Sequence, residues 1–99
     1  MTCSLVISDE ASFDIIDSYN WYETVDKSIA GKFEKEIESR LLRIQSNPNQ
    51  FQLKYRSVRV VFLKKFPFGI HYVVDEQVIK VIAVFHTSRN PTNWNERLK

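Results

Sequence analysis

The 99-residue sequence predicts an α+β fold: an N-terminal short strand, an antiparallel helical hairpin, then a three-strand antiparallel meander and a basic tail. Three observations carry this prediction. Apolar residues recur every three or four positions from Ala11 to Ile44, the period of a helix face. Past residue 50 the period falls to two, the period of a strand. Between the two regimes stands Asn47-Pro48-Asn49, where the proline lacks an N–H and restricts the residue before it.

Leu5-Val6-Ile7 is the N-terminal strand. Ser8 then offers an N-cap, and Asp9 and Glu10 fall in the first helical turn, where the dipole favours acids. Ala11, Ile15, Tyr19 and Tyr22 form one stripe, widened by Ile16, and the helix is expected to end between Glu23 and Val25. Asp26 or Ser28 caps a second helix with the stripe Ala30, Phe33, Ile37, Leu41 and Ile44. Glu36 and Arg40 stand four apart on its expected exposed side. A short link between two such helices makes an antiparallel hairpin.

The β-branched and aromatic run Val58 to Leu63 is the first strand of the meander. Lys64-Lys65-Phe66-Pro67 interrupts it. In the second run Phe68, Ile70, Tyr72 and Val74 alternate with Gly69, His71 and Val73, and Asp75-Glu76-Gln77 is a tight turn. Val78 to Phe85 is nearly all apolar, as in a central strand covered on both faces. Thr87 to Lys99 is a polar tail anchored by Pro91, Trp94 and Leu98. Helices on one side of the sheet would leave its opposite face partly open.

The length suits one domain, residues 1–99. Hydrophobic content of 43 % with 13 % aromatics argues against disorder, and the single cysteine, Cys3, excludes a disulfide framework or a cysteine-rich zinc site. No apolar run is long enough for an export signal or a membrane span, which points to the cytoplasm and away from a membrane partner. The net charge of +2 is a sum of opposites. Residues 1–50 carry 5 basic and 9 acidic side chains, net −4, and residues 51–99 carry 9 and 3, net +6. The second half is expected to meet something anionic.

Phosphate-binding glycine loops, zinc-protease signatures and paired cysteines are absent, and His71 and His86 lack ligating neighbours, so neither metal nor cofactor is expected. The chemistry concentrates from His86 onward, where Arg89, Trp94 and Arg97 follow a buried strand. An imidazole moves protons near neutral pH, a guanidinium clamps a phosphate and an indole stacks on a base. Each also has a structural alternative: Arg89 capping carbonyls, Trp94 covering the core edge, His86 bonded locally.

The order and spacing of several segments resemble the RelE/ParE superfamily of bacterial toxins from type II toxin–antitoxin modules. They are the early strand, Tyr19-Asn20-Trp21-Tyr22-Glu23, Ala30 and Phe33, Asn47-Pro48, Tyr55-Arg56, Phe66-Pro67-Phe68-Gly69-Ile70-His71-Tyr72, and the strand running into His86 and Arg89. Together they cover almost the whole chain.

The RelE-like branch implies cleavage of messenger RNA in the ribosomal A site. In that case His86 is the acid/base group, Arg89 the phosphate clamp, and Arg56 and Arg59 hold backbone phosphates. The ParE-like branch implies poisoning of DNA gyrase by binding. Three departures favour this second branch, or an unassigned one, over the nucleases. Phe68 stands about where the nucleases carry an arginine, Lys54 and Arg56 only partly match their basic cluster, and His86 is followed by Thr87-Ser88 where they often end in an aromatic or His-Tyr pair. For either target the expected binding residues are Arg56, Arg59, Arg89, Trp94 and Arg97. A third reading is a degenerate toxin kept as an interaction module. The resemblance also implies a cognate antitoxin, commonly acidic, that covers Trp21 and Leu42 off the main stripes, with DNA reached only through that antitoxin.

Overall fold

The computed structural model describes residues 4–88. Strand β1 (Ser4–Ile7) leads into helix α1 (Asp9–Val25) through Ser8, whose hydroxyl accepts the Ala11 N–H at 3.0 Å. Asp26 serves both helices. Its backbone N–H donates to the Tyr22 carbonyl at 2.8 Å, and its carboxylate accepts the N–H and the hydroxyl of Ser28, each at 2.8 Å, to open α2 (Lys27–Ser46). Of the two expected caps, Asp26 is therefore the one used. The Ser28 hydrogen bonds hold its carboxyl below the usual carboxylate range. At the far end of α2 the Asn47 N–H donates to the Arg43 carbonyl at 3.2 Å, and Pro48–Gln50 closes as a 3-10 turn.

The sheet is larger than a three-strand meander. Strand β2 (Leu53–Tyr55) pairs antiparallel with β3 (Val58–Phe62), followed by β4 (Phe68–Asp75) and β5 (Val78–His86). The five strands lie in the order β1-β5-β4-β3-β2, with β1 parallel to β5 and the other pairs antiparallel. The nearly all-apolar run of β5, interrupted by the exposed Lys80, follows from its place between β1 and β4. Strand β2 escapes a pattern reading because Leu53 and Lys54 are both exposed and its register against β3 is irregular. Its turn puts Arg56 at φ 46°, in the left-handed region that few side chains adopt.

Helices α1 and α2 cover one face. Phe68, Ile70 and Tyr72 of β4, with Ile79, Val81 and Val84 of β5, pack under Ala11, Phe33, Ile37 and Ile44. The Phe33 ring lies 5.3 Å from Tyr22 and 5.4 Å from both Phe66 and Phe68, in the tilted and edge-on geometry that aromatic quadrupoles favour. The Tyr72 hydroxyl donates to the Pro48 carbonyl, and burial pushes its pKa up to about 12 against the opposing pull of Arg59.

Three local expectations change. Ile16 does not widen the buried stripe, since it is 56 % exposed: it sits too far around α1 to reach the sheet. Glu36 and Arg40 are half-buried, because the Glu36 carboxylate reaches across to accept the backbone N–H groups of Lys64 and Lys65 and so pins the β3–β4 loop to α2. The sheet face away from the helices is closed at its centre: Val60, His71, Ala83 and Phe85 are buried there. On that face the Tyr55 hydroxyl lies 3.0 Å from His71 Nδ1, and the His71 and Phe85 rings meet edge to face.

Candidate functional site

Asp14, Asp17 and Trp21 follow one another at steps of three and four along α1, beside the stripe that packs on the sheet. They overlook the end of the sheet where β4 begins and β5 ends. A cavity of about 470 Å³ opens between them. Helix α1 contributes Asp14, Asp17, Ser18, Trp21 and Tyr22. Pro67 and Phe68 line the cavity from the β3–β4 loop and β4, and Val84 and His86 from β5.

Sheet geometry explains why α1 supplies an acid here. Strand β1 ends opposite Val81, so β5 runs on past its neighbour. Between Val81 and Ala83 the β4–β5 register also slips by one residue. The N–H of the nearly buried Val84 donates instead to Asp14 Oδ2 at 3.0 Å, seventy residues earlier in the chain. That bond ties α1 to β5 at the edge of the cavity.

The walls are largely aromatic. Trp21 is 63 % exposed, and its ring meets Tyr22 edge-on at 5.1 Å. Burial raises the Tyr22 pKa above its ordinary value. Phe68 closes the floor, 5.3 Å from the His86 ring. The His86 Nδ1 accepts the Ser88 N–H at 3.1 Å and lies 2.8 Å from the Ser88 hydroxyl. A nitrogen that accepts from a backbone amide carries no proton, so the neutral ring holds its proton on Nε2 and presents a donor.

The expected site residues are not gathered around His86. Arg56 sits in the β2–β3 turn, at the sheet end opposite His86. Six rows of a strand separate them, about 20 Å at 3.3 Å per residue. Arg59 lies in β3 and donates to the Phe51 carbonyl at 2.6 Å, which ties it to the segment after α2. Trp21 lines the cavity, whereas Leu42 is 67 % exposed on α2 well away from it. Measured along the hairpin from Asp26, the two lie about 16 Å apart, so one compact contact does not cover both. Arg89, Trp94 and Arg97 lie outside the described residues. Among the described residues no three His, Cys, Asp or Glu side chains gather as metal ligands, and no helix is long and apolar enough to cross a membrane.

The family described as the ParE toxin of type II toxin–antitoxin systems, parDE, matches residues 5–91. The chain belongs to the ParE toxin family. It is thus a toxin of a type II toxin–antitoxin system, on the ParE-like side of the superfamily that the sequence resembles. The relatives named Toxin ParE2 from two strains of Mycobacterium tuberculosis are each 23 % identical over 92 residues, covering 92 % of this chain and 88 % of theirs. A chain from the chromosomal ParDE toxin–antitoxin system of P. aeruginosa superposes with a TM-score of 0.76 at 21 % identity, covering 86 % of this toxin and 96 % of that chain. At that identity the superposition speaks for the fold, and it agrees with the strand, hairpin and sheet described above.

Asp14, Asp17, Tyr22 and Phe68 complete the cavity, and sequence reasoning did not single them out as site residues. One signal was present: two acids and an indole spaced three and four apart, flanking an apolar stripe, mark a helix edge that is neither core nor plain solvated surface.

Proposed function

We propose that this toxin arrests growth by binding and inhibiting DNA gyrase in the cytoplasm, and that a cognate antitoxin neutralises it by covering the α1–α2 side. DNA is contacted only through that antitoxin. The observation that carries the non-catalytic reading is the setting of His86: the cavity it lines holds Asp14 and Asp17 and, among the described residues, no lysine or arginine to clamp a phosphate. Phe68 adds support, because the position where a nuclease of the superfamily is expected to carry arginine is packed into the Phe33–Tyr22 cluster. Membership of the ParE family points the same way.

The test is to add the purified toxin to gyrase and follow supercoiling of relaxed plasmid, with ribosome-bound message assayed in parallel. Loss of supercoiling with intact message is expected. Undiminished supercoiling at high toxin excess, or cut message that His86→Ala abolishes, would refute the proposal.

A further inference from the structure

We infer that the cavity between α1 and the β4–β5 end of the sheet receives a basic side chain, an arginine, from the antitoxin segment that docks on this face. The inference rests on the reading above that an antitoxin masks the toxin, and adds what this part of it must look like.

The chain as a whole is basic, yet the nine residues lining the cavity include two carboxylates and neither lysine nor arginine. Asp14 accepts the Val84 N–H. Asp17 is exposed, and the described residues place no cation within ion-pairing distance of it. An anionic partner is repelled here, so the nucleic-acid or acidic contacts expected of the basic half belong elsewhere on the surface.

A neutral apolar anchor would leave the carboxylate of Asp17 without a partner as the site closed. A guanidinium meets every wall. Its plane lies on the exposed face of Trp21 or against Tyr22, its fork reaches Asp17, and its methylene stem packs on Pro67 and Phe68. The Nε2–H of His86 then serves a backbone carbonyl of the same segment, a donor that suits a peptide and not a lone cation. An indole exposed by 63 % is also the residue type most enriched in binding hot spots.

The experiment titrates the isotope-labelled full-length toxin with N-acetyl-arginine methylamide and, separately, with its neutral isostere N-acetyl-citrulline methylamide, followed by NMR. Saturable shifts are expected at the Trp21 indole N–H and at the Asp17 and Val84 amides. The citrulline probe, and the arginine probe on Asp17→Asn, are expected to bind at least about fivefold more weakly. Trp21→Leu, which keeps Asp17 in place, is expected to weaken arginine binding as well. Equal response to both probes, shifts centred away from these residues, or no saturable shift would overturn the inference. Binding that arises only when Arg89 and Arg97 are both replaced by alanine would assign the cavity to the toxin's own C-terminal segment, and would overturn it too. The outcome is independent of toxicity. A chain that binds the arginine probe yet leaves gyrase active refutes the functional reading alone, and a gyrase inhibitor blind to arginine refutes this inference alone.

Discussion

Replacing Asp14 with alanine is expected to loosen the toxin at the place where its helical layer is fastened to its sheet. The bond at stake runs from the Val84 N–H to Asp14 Oδ2 at 3.0 Å. Val84 is 3 % exposed, so a water replacing the carboxylate has to enter from the cavity that both residues line, and as a neutral acceptor it restores only part of the bond. No strand takes its place, because β1 stops opposite Val81. A hydrogen bond to a charged acceptor contributes about 1.5–3 kcal/mol, and leaving a buried donor unpaired costs a similar amount. A loss of about 2 kcal/mol corresponds to roughly 10 °C in the melting temperature of a domain this size. Asp14→Asn keeps an oxygen acceptor without the charge, so about half of that loss is expected. Thermal unfolding followed by circular dichroism measures the shift, and hydrogen exchange at the Val84 amide localises it. A melting temperature for Asp14→Ala within about 2 °C of the parent, with Val84 protection unchanged, would refute the reasoning.

Two further predictions concern the sheet. Tyr72→Phe is expected to cost about 1 kcal/mol by removing the donor to the Pro48 carbonyl, read as a lower denaturant midpoint. The same variant reports a pH effect. The folded pKa of Tyr72, about 12, lies above the ordinary value of 10.0, so the neutral phenol is the form that folding favours. Its contribution is complete below about pH 10 and is lost as pH rises through about 12, and the parent is expected to lose more stability than Tyr72→Phe between those values. Gly69→Ala would put a methyl carbon 2.9 Å from Val60 Cγ1 and 3.3 Å from the Phe62 ring. Since Val60 is only 4 % exposed and has little room to yield, a loss of about 1–3 kcal/mol is expected, part of it recovered by the double variant with Val60→Ala in urea unfolding.

Legibility of the fold followed the strength of local periodicity. The stripe Ala30, Phe33, Ile37 and Ile44 is buried as spaced, and Phe68, Ile70 and Tyr72 face the helices together. Both signals repeat over several turns or residues, and burial enforces them. Strand β2 left no such trace, since three residues with two exposed side chains carry no alternation, and the strand exists because β3 offers it an edge. Glu36 reads as a solvated member of an i,i+4 pair. Its real partners are backbone groups of Lys64 and Lys65, and a pattern search over side chains does not see backbone donors.

The candidate site divides in the same way. His86, Trp21 and the contrast between an acidic front and a basic back could be picked out of the sequence, because the types of residue announce their chemistry. Their arrangement could not. Sequence alone determined the two helices, the Ser8 cap, the strands other than β2, the family resemblance and the presence of reactive groups near His86, all of which depend on neighbours a few positions apart. Tertiary structure decided that Arg56 stands at the far end of the sheet from His86, that Asp14 is tied to Val84, and that an acidic, aromatic cavity opens in a basic chain. These facts depend on strand order, on a one-residue slip in register and on where β1 stops. Each arises from pairings between segments tens of residues apart, which local periodicity does not encode.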